Sequence, residues 1–168
     1  MSTACLDTMR RIDLPHHRET AVAAVHLTLH FIGDTDPKCL EEITESVARS
    51  ASGIGVFTLT PERLVTLPRA AARRSEARVV AMETDAPAGL LELVRRLVGR
   101  LAVSPRKDPT DRYRPHLTLC RFRGPVRGLT LEQRVDLEPF DVSAIHLMRS
   151  VLKPGGAEHT EIARFDLR

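Results

Sequence analysis

Two short tracts alternate apolar and polar residues with the period of a β-strand, in which side chains i and i+2 share a face. In Val25–Phe31 the apolar set is Val25, Leu27, Leu29 and Phe31, and His26, Thr28 and His30 take the opposite face. In the tract from Pro115 to Phe122, His116, Thr118 and Cys120 share one face, and Leu117 and Leu119 the other. The pattern predicts two half-buried strands, each with a polar ledge. Further strands are predicted at Val56–Thr60, Arg63–Leu67 and Ala77–Thr84, the first two parted by a turn or bend at Pro61-Glu62. Helical periodicity takes over elsewhere. Asp36-Pro37 reads as the N-cap and first residue of a helix over 37–50, with Leu40, Ile43 and Val47 inward and an end near Gly53. Leu90, Leu91, Leu93, Val94, Leu97, Val98 and Leu101 form a wide apolar stripe that predicts a helix over 87–103 packed on a sheet. Residues 104–114 read as a linker, and 124–139 as holding at most a short helix. Residues 140–152 and 159–167 read as a hairpin around Pro154-Gly155-Gly156. Met1–Ala24 shows no apolar strand followed by a helix. Because strands and helices interleave without a regular βαβ repeat, α+β is the expected class.

A chain of 168 residues, 42% hydrophobic, can bury one substantial core, so a single domain over 1–168 is expected. No apolar run approaches the roughly eighteen residues of a membrane span, and no signal peptide opens the chain, which predicts a soluble, cytoplasmic protein with no membrane partner. Cys5, Cys39 and Cys120 are odd in number and lack metal-ligand spacing, so neither a disulfide framework nor a bound metal is expected. Cys120 either lines the ledge or fills the core as a small apolar group. The adjacent pair His16-His17 would point to opposite faces of a strand and makes a poor metal site.

The net charge of +3 is unevenly spread. Arg69, Arg73, Arg74 and Arg78 cluster in one segment, and Arg106, Lys107, Arg112, Arg114, Arg121, Arg123 and Arg127 surround the second tract. Guanidinium forks match phosphate oxygens, so a basic rim there suits an RNA end, with Arg114 and Arg121 as the nearest contacts. A chain with one Tyr and no Trp has little surface for sequence-specific base stacking, and Tyr113 is the residue available for it.

Both tracts contain His-Leu-Thr-Leu, as residues 26–29 and 116–119. Each then runs to an aromatic residue and a glycine, Phe31-Ile32-Gly33 and Phe122-Arg123-Gly124. An internal duplication offset by about ninety residues is too long for a solenoid and suits two lobes of one domain. An imidazole can exchange a proton near neutral pH, and a threonine hydroxyl can donate to a phosphoryl oxygen. Two such ledges facing one another supply an acid, a base and two oxygen clamps, the parts needed to split a phosphodiester without a metal.

The segments HLTLHFIG and RPHLTLCRF resemble the two signature motifs of the two-histidine (2H) phosphoesterases, specifically the bacterial RNA 2',3'-cyclic phosphodiesterases also called 2'-5' RNA ligases. The resemblance runs from Val25 to the C-terminus, where Ile145–Ser150 and Thr160–Phe165 are similar to the family's last hairpin. It implies a bilobal α+β fold in which two pseudo-symmetric lobes, built of antiparallel sheets flanked by helices, each bring one motif strand to a central cleft. It further implies that His26 is the proton donor and His116 the proton acceptor, and that Thr28 and Thr118 hold the phosphate oxygens. His30 stands where relatives often carry lysine and is a further candidate phosphate contact. The implied reaction converts an RNA 2',3'-cyclic phosphate end to a 2'-phosphate without a cofactor, with reverse 2'-5' ligation as a side activity; a monomer is the default expectation. Within the same resemblance, a phosphodiesterase for 2'-5' oligoadenylates or ADP-ribose cyclic phosphate and a catalytically lapsed RNA- or nucleotide-binding module are the alternatives. Relatives usually place a strand and a helix in some forty residues before the first motif, so residues 1–24 are expected to form a shortened, atypical segment.

Overall fold

The computed structural model describes residues 1–68, 76–102, 110, 113–153 and 156–168. Its elements are α1 (Ser2–Arg10), β1 (His17–Glu19), α2 (Leu40–Ala51), β2 (Phe57–Leu59), β3 (Pro61–Leu67), β4 (Glu76–Thr84), α3 (Ala88–Leu101), β5 (His116–Arg127), β6 (Glu132–Arg134), β7 (Phe140–Val142), β8 (Ala144–Lys153) and β9 (Gly156–Asp166). The class is α+β with antiparallel sheets, as the pattern predicts. The chain divides into two compact units. One comprises Met1–Thr28, Leu59–Asp85 and Arg114–Phe140, and the other Leu29–Thr58, Ala86–Tyr113 and Asp141–Arg168.

In the first unit, five strands form an antiparallel sheet in the order β1-β5-β4-β3-β6. One face is covered by α1, whose Cys5, Leu6 and Met9 occur at i, i+1 and i+4 and so lie along one helical stripe. They pack into a core with Leu64, Val80, Met82, Leu117, Leu119, Cys120 and Phe122. The N-terminal segment, which lacks an apolar strand-then-helix signal, is therefore a helix followed by a three-residue strand. Three apolar side chains in nine residues are enough because the sheet supplies the rest of the core.

In the second unit, α2 and α3 pack with the β8–β9 hairpin around Val47, Ala51, Leu93, Leu97, Ile145, Leu147 and Leu167. Asp36 caps the turn that precedes α2, its carboxylate accepting from the Lys38 amide at 2.9 Å, and Pro37 follows as predicted. Past the end of α2, Gly53 takes φ +70°, a conformation that glycine adopts without steric cost. Leu40, predicted to face inward, is instead exposed, because a 3-10 turn over Pro37–Cys39 delays the start of the α-helix. The stripe of α3 buries Leu90, Leu93, Val94 and Leu97, with Leu91, Val98 and Leu101 half-buried beside them.

Several elements depart from the expectation. Pro61-Glu62 makes no turn between strands but an irregularity within β3, where the register shifts at Glu62 and the ladder continues, so the bend rather than the turn is found. Residues 124–139 hold no helix, within the expected limit of at most a short one, and what pattern reading lacked there is strand: β5 runs on to Arg127 and β6 adds to the sheet edge. Phe140–Val142 is separate from the hairpin and pairs with β2, and Thr58 Oγ1 donates to Asp141 at 2.6 Å. The hairpin pairs Lys153 with Gly156; its Pro154-Gly155 tip, like most of the 104–114 linker, lies outside the described residues. Both His-Leu-Thr motifs fall in the first unit, rather than one in each.

Leu6 is fully buried between α1 and the sheet, so Leu6→Ala is expected to lower unfolding free energy by about 2–5 kcal/mol, read from urea denaturation. A loss below about 0.5 kcal/mol would mean that α1 does not belong to this core.

Candidate functional site

The second motif opens β5, and the first does not form a strand. Val25–Phe31 makes a single antiparallel bridge, Leu27 to Leu117, because two neighbours crowd it. On one side β1 already occupies Cys120–Phe122 of β5, with the Thr20 amide donating to the Leu119 carbonyl at 2.8 Å. On the other, β5 begins at His116 after Pro115, which has no amide proton to continue a ladder. The alternation still holds from Val25 to Thr28. Val25 is buried and Leu27 half-buried, both against the core, while His26 and Thr28 are exposed. It breaks at the boundary between units, where His30 is half-buried and Phe31 is 78% exposed.

That one bridge determines the geometry of the motifs. In antiparallel register about Leu27–Leu117, His26 stands opposite Thr118 and Thr28 opposite His116. By that register, each histidine is aligned with the other motif's threonine, and the two histidines fall on a diagonal. Directly opposed side chains have Cβ atoms about 4.5–5.5 Å apart and diagonal ones about 7–8 Å, within reach of long side chains. Across β5 the rows continue. His116 pairs with Glu83 of β4, which pairs with Arg63 of β3, and Thr118 pairs with Ala81.

Each histidine is held in the same way. His26 Nδ1 donates to the Ala24 carbonyl and His116 Nδ1 to the Arg114 carbonyl, both at 2.8 Å and both two residues back along the chain. A carbonyl can only accept, so each Nδ1 carries its proton and each Nε2 is the nitrogen that exchanges one. The contact repeats with the motif, which makes it part of the duplicated unit.

A bulge sorts the remaining residues of β5. The register advances one residue on β4, from Val80 to Ala81, while β5 goes from Cys120 to Thr118. Leu119 is the extra residue, and the face assignment inverts beyond it. Cys120, which period-two counting puts on the ledge but which also reads as a small core filler, turns into the core, fully buried beside Leu119, with Phe122 buried next to them. Arg121 turns outward onto the ledge face in its place. Glu83, 6% exposed and 3.5 Å from Arg63, is a carboxylate on the His116 row that strand patterning gives no reason to single out.

The other predicted contacts separate. Arg114 and Arg121 are exposed in the first unit, whereas His30 and Tyr113 belong to the second. Burial lowers the pKa of His30 and pushes the Tyr113 phenol well above its usual range. Arg78 and Arg123 are exposed, and Arg127 pairs with Glu76 at 3.1 Å. Arg69, Arg73, Arg74, Arg106, Lys107 and Arg112 lie outside the described residues. Phe31 carries an exposed ring that strand patterning assigns inward; its position at the unit boundary, three residues past Thr28, is the signal that period-two counting misses. His17 places its ring edge-on to Phe122 at 6.4 Å and bonds the Pro15 carbonyl. Among the described residues, no three His, Cys, Asp or Glu side chains converge as metal ligands would.

Comparison with known proteins adds the lineage. Residues 3–153 match the 2'-5' RNA ligase superfamily. The chain belongs to that superfamily. It is 28% identical over 152 residues to an RNA 2',3'-cyclic phosphodiesterase of Methanothermobacter thermautotrophicus, covering 85% of this chain and 78% of the relative. It is 30% identical over 138 residues to a protein of the same name from Aeropyrum pernix, covering 78% and 75%. Among solved structures it is similar to a protein of Thermus thermophilus, with TM-score 0.81, 22% identity and coverage of 99% of this chain and 91% of that one. Escherichia coli LigT complexed with 3'-AMP matches with TM-score 0.71, 20% identity and coverage of 99% and 90%. These structures share the fold of this superfamily member. No helix among the described residues is long and apolar enough to cross a membrane.

Burial holds the Cys5 and Cys120 thiols above their usual pKa, while Cys39 is exposed. Alkylation of the native protein at pH 8 is therefore expected to modify Cys39 alone within the time that denatured protein takes up label at all three sites, measured by peptide mass. Labelling of Cys120 at the Cys39 rate would contradict the bulge-directed burial.

Proposed function

We propose that this protein hydrolyses RNA 2',3'-cyclic phosphate ends to 2'-phosphates without a metal, using His26, Thr28, His116 and Thr118 as one site. The observation that carries the reading is the Leu27–Leu117 bridge, whose antiparallel register aligns each motif's histidine with the other motif's threonine. The names of the two archaeal relatives supply the substrate class, and the two Nδ1–carbonyl contacts suit a reaction in which protons pass through Nε2.

In this reading, the cyclic phosphate lies over the ledge with its non-bridging oxygens accepting from the Thr28 and Thr118 hydroxyls. His116 Nε2 takes a proton from water as its oxygen bonds to phosphorus. The P–O3' bond breaks, and protonated His26 Nε2 gives its proton to the departing 3'-oxygen, leaving a 3'-hydroxyl and a 2'-phosphomonoester. Each cycle ends with the two histidines in exchanged protonation states, which solvent resets. Reverse ligation of a 5'-hydroxyl to the cyclic end uses the same groups with an alcohol in place of water. Arg121, turned onto the same face, contributes positive charge beside Thr118.

A positioned acid or base typically contributes about 10²- to 10⁴-fold, and a removed oxyanion donor costs about 10²- to 10³-fold. His26→Ala and His116→Ala are each expected to cut kcat at least a hundredfold with an unchanged circular dichroism spectrum. Thr28→Ala and Thr118→Ala should act in the same direction. The substrate is an oligonucleotide ending in a 2',3'-cyclic phosphate, assayed in chelator, with the 2'-phosphate identified by chromatography. Wild-type activity in either histidine variant would sink the proposal. The rate should also show a bell-shaped dependence on pH, because one histidine must be protonated and the other not; a flat profile from pH 5 to 9 would contradict the acid–base assignment.

A further inference from the structure

The register that assembles the ledge also places a second cationic row on it. Arg18 of β1 is the direct antiparallel partner of Arg121 of β5. Their neighbours show which face they share. His17 and Glu19 pair with Phe122 and Cys120 on the core side, and Glu19 joins Arg10 of α1 there at 2.9 Å. Arg18 and Arg121 therefore project on the opposite face, with Thr118, and both are exposed.

Like charges directly opposite on a sheet are destabilising. The chain satisfies many of its other arginines with carboxylates: Arg10 with Asp7 and Glu19, Arg63 with Glu132, Arg95 and Arg96 with Glu92, and Arg164 with Asp166. Among the described residues, neither Arg18 nor Arg121 has such a partner. Two opposed guanidinium groups with ten N–H donors, and no carboxylate partner among the described residues, suit an external anion. Thr118 and Arg121 are three residues apart on a bulged strand with a rise of about 3.3 Å per residue, a separation of roughly 7–10 Å. That separation is of the order of the spacing between successive phosphates of an extended single strand.

We propose that Arg18 and Arg121 form a second phosphate subsite, which binds the internucleotide phosphodiester next to the cyclic end and makes the protein select oligonucleotides over cyclic mononucleotides. The proposal rests on the reaction proposed above and adds a substrate class to it. Arg18 is the specificity-determining member, because it lies one row beyond the histidines and threonines and touches no reacting atom.

The test compares kcat/KM for a trinucleotide ending in a 2',3'-cyclic phosphate with that for cytidine 2',3'-cyclic monophosphate. The ratio is expected to fall about tenfold in Arg18→Gln, a loss typical of one charge-assisted hydrogen bond, and to fall less in Arg18→Lys, which keeps the charge without the fork. The slope of log(kcat/KM) against log salt for the trinucleotide should shrink by about 0.7 in Arg18→Gln, the contribution of one single-strand phosphate contact. A ratio and slope unchanged in both variants, with the wild type consuming both substrates, overturns the subsite and leaves the reaction standing. A wild type that consumes neither overturns the reaction itself, and the subsite with it. If Arg18→Gln does not fold, an Arg18→Lys ratio equal to that of wild type is the overturning result.

Discussion

The geometry of the candidate site depends on one antiparallel bridge, Leu27 to Leu117. Leu27 and Leu117 are both apolar and both turned to the core, so burying them fixes the parity of the two tracts at once. A one-residue slip in either tract would send its leucines to solvent and its histidine and threonine inward. Packing of two side chains thus fixes the register on the other face, which aligns His26 with Thr118 and His116 with Thr28. The Nδ1–carbonyl contacts then select the tautomer. The hydrophobic core sets the register, and the register sets which polar side chains share the exposed face.

The bulge at Leu119 extends the same logic along β5. Strict alternation would put Arg121 among the core side chains and Cys120 on the exposed face with His116 and Thr118. One extra residue resolves the conflict by sending Leu119 and Cys120 inward together and Arg121 outward. Bulges recur where a strand must re-aim a side chain. Here the bulge turns Arg121 onto the face that carries His116 and Thr118, the face on which Arg18 of β1 is its direct partner.

The residues of the candidate site were legible in the chain because period-two alternation is a local property, and it holds at His26, Thr28, His116 and Thr118. The helices α2 and α3 were legible for the same reason, through Asp36-Pro37 and the leucine stripe. What failed was non-local. The fate of Cys120 depends on a register shift against β4, and that of Val25–Phe31 on β1 already occupying the adjacent edge of β5. The helix α1 offers only three core side chains, and its apolar character becomes meaningful once the sheet beneath it exists. Glu83 and Arg18 carry no motif at all; only their cross-strand partners, His116 and Arg121, give them a place beside the ledge.

If the reciprocal register makes the two histidines parts of a single proton-transfer device, their losses cannot be independent, since removing either already disables the coupled step. The most direct measurement is kcat for a cyclic-phosphate oligonucleotide in wild type, His26→Ala, His116→Ala and the double variant. The account predicts that the double variant is no slower than the slower single variant within about threefold. Losses that multiply across the two sites would contradict it, because the histidines would then act separately.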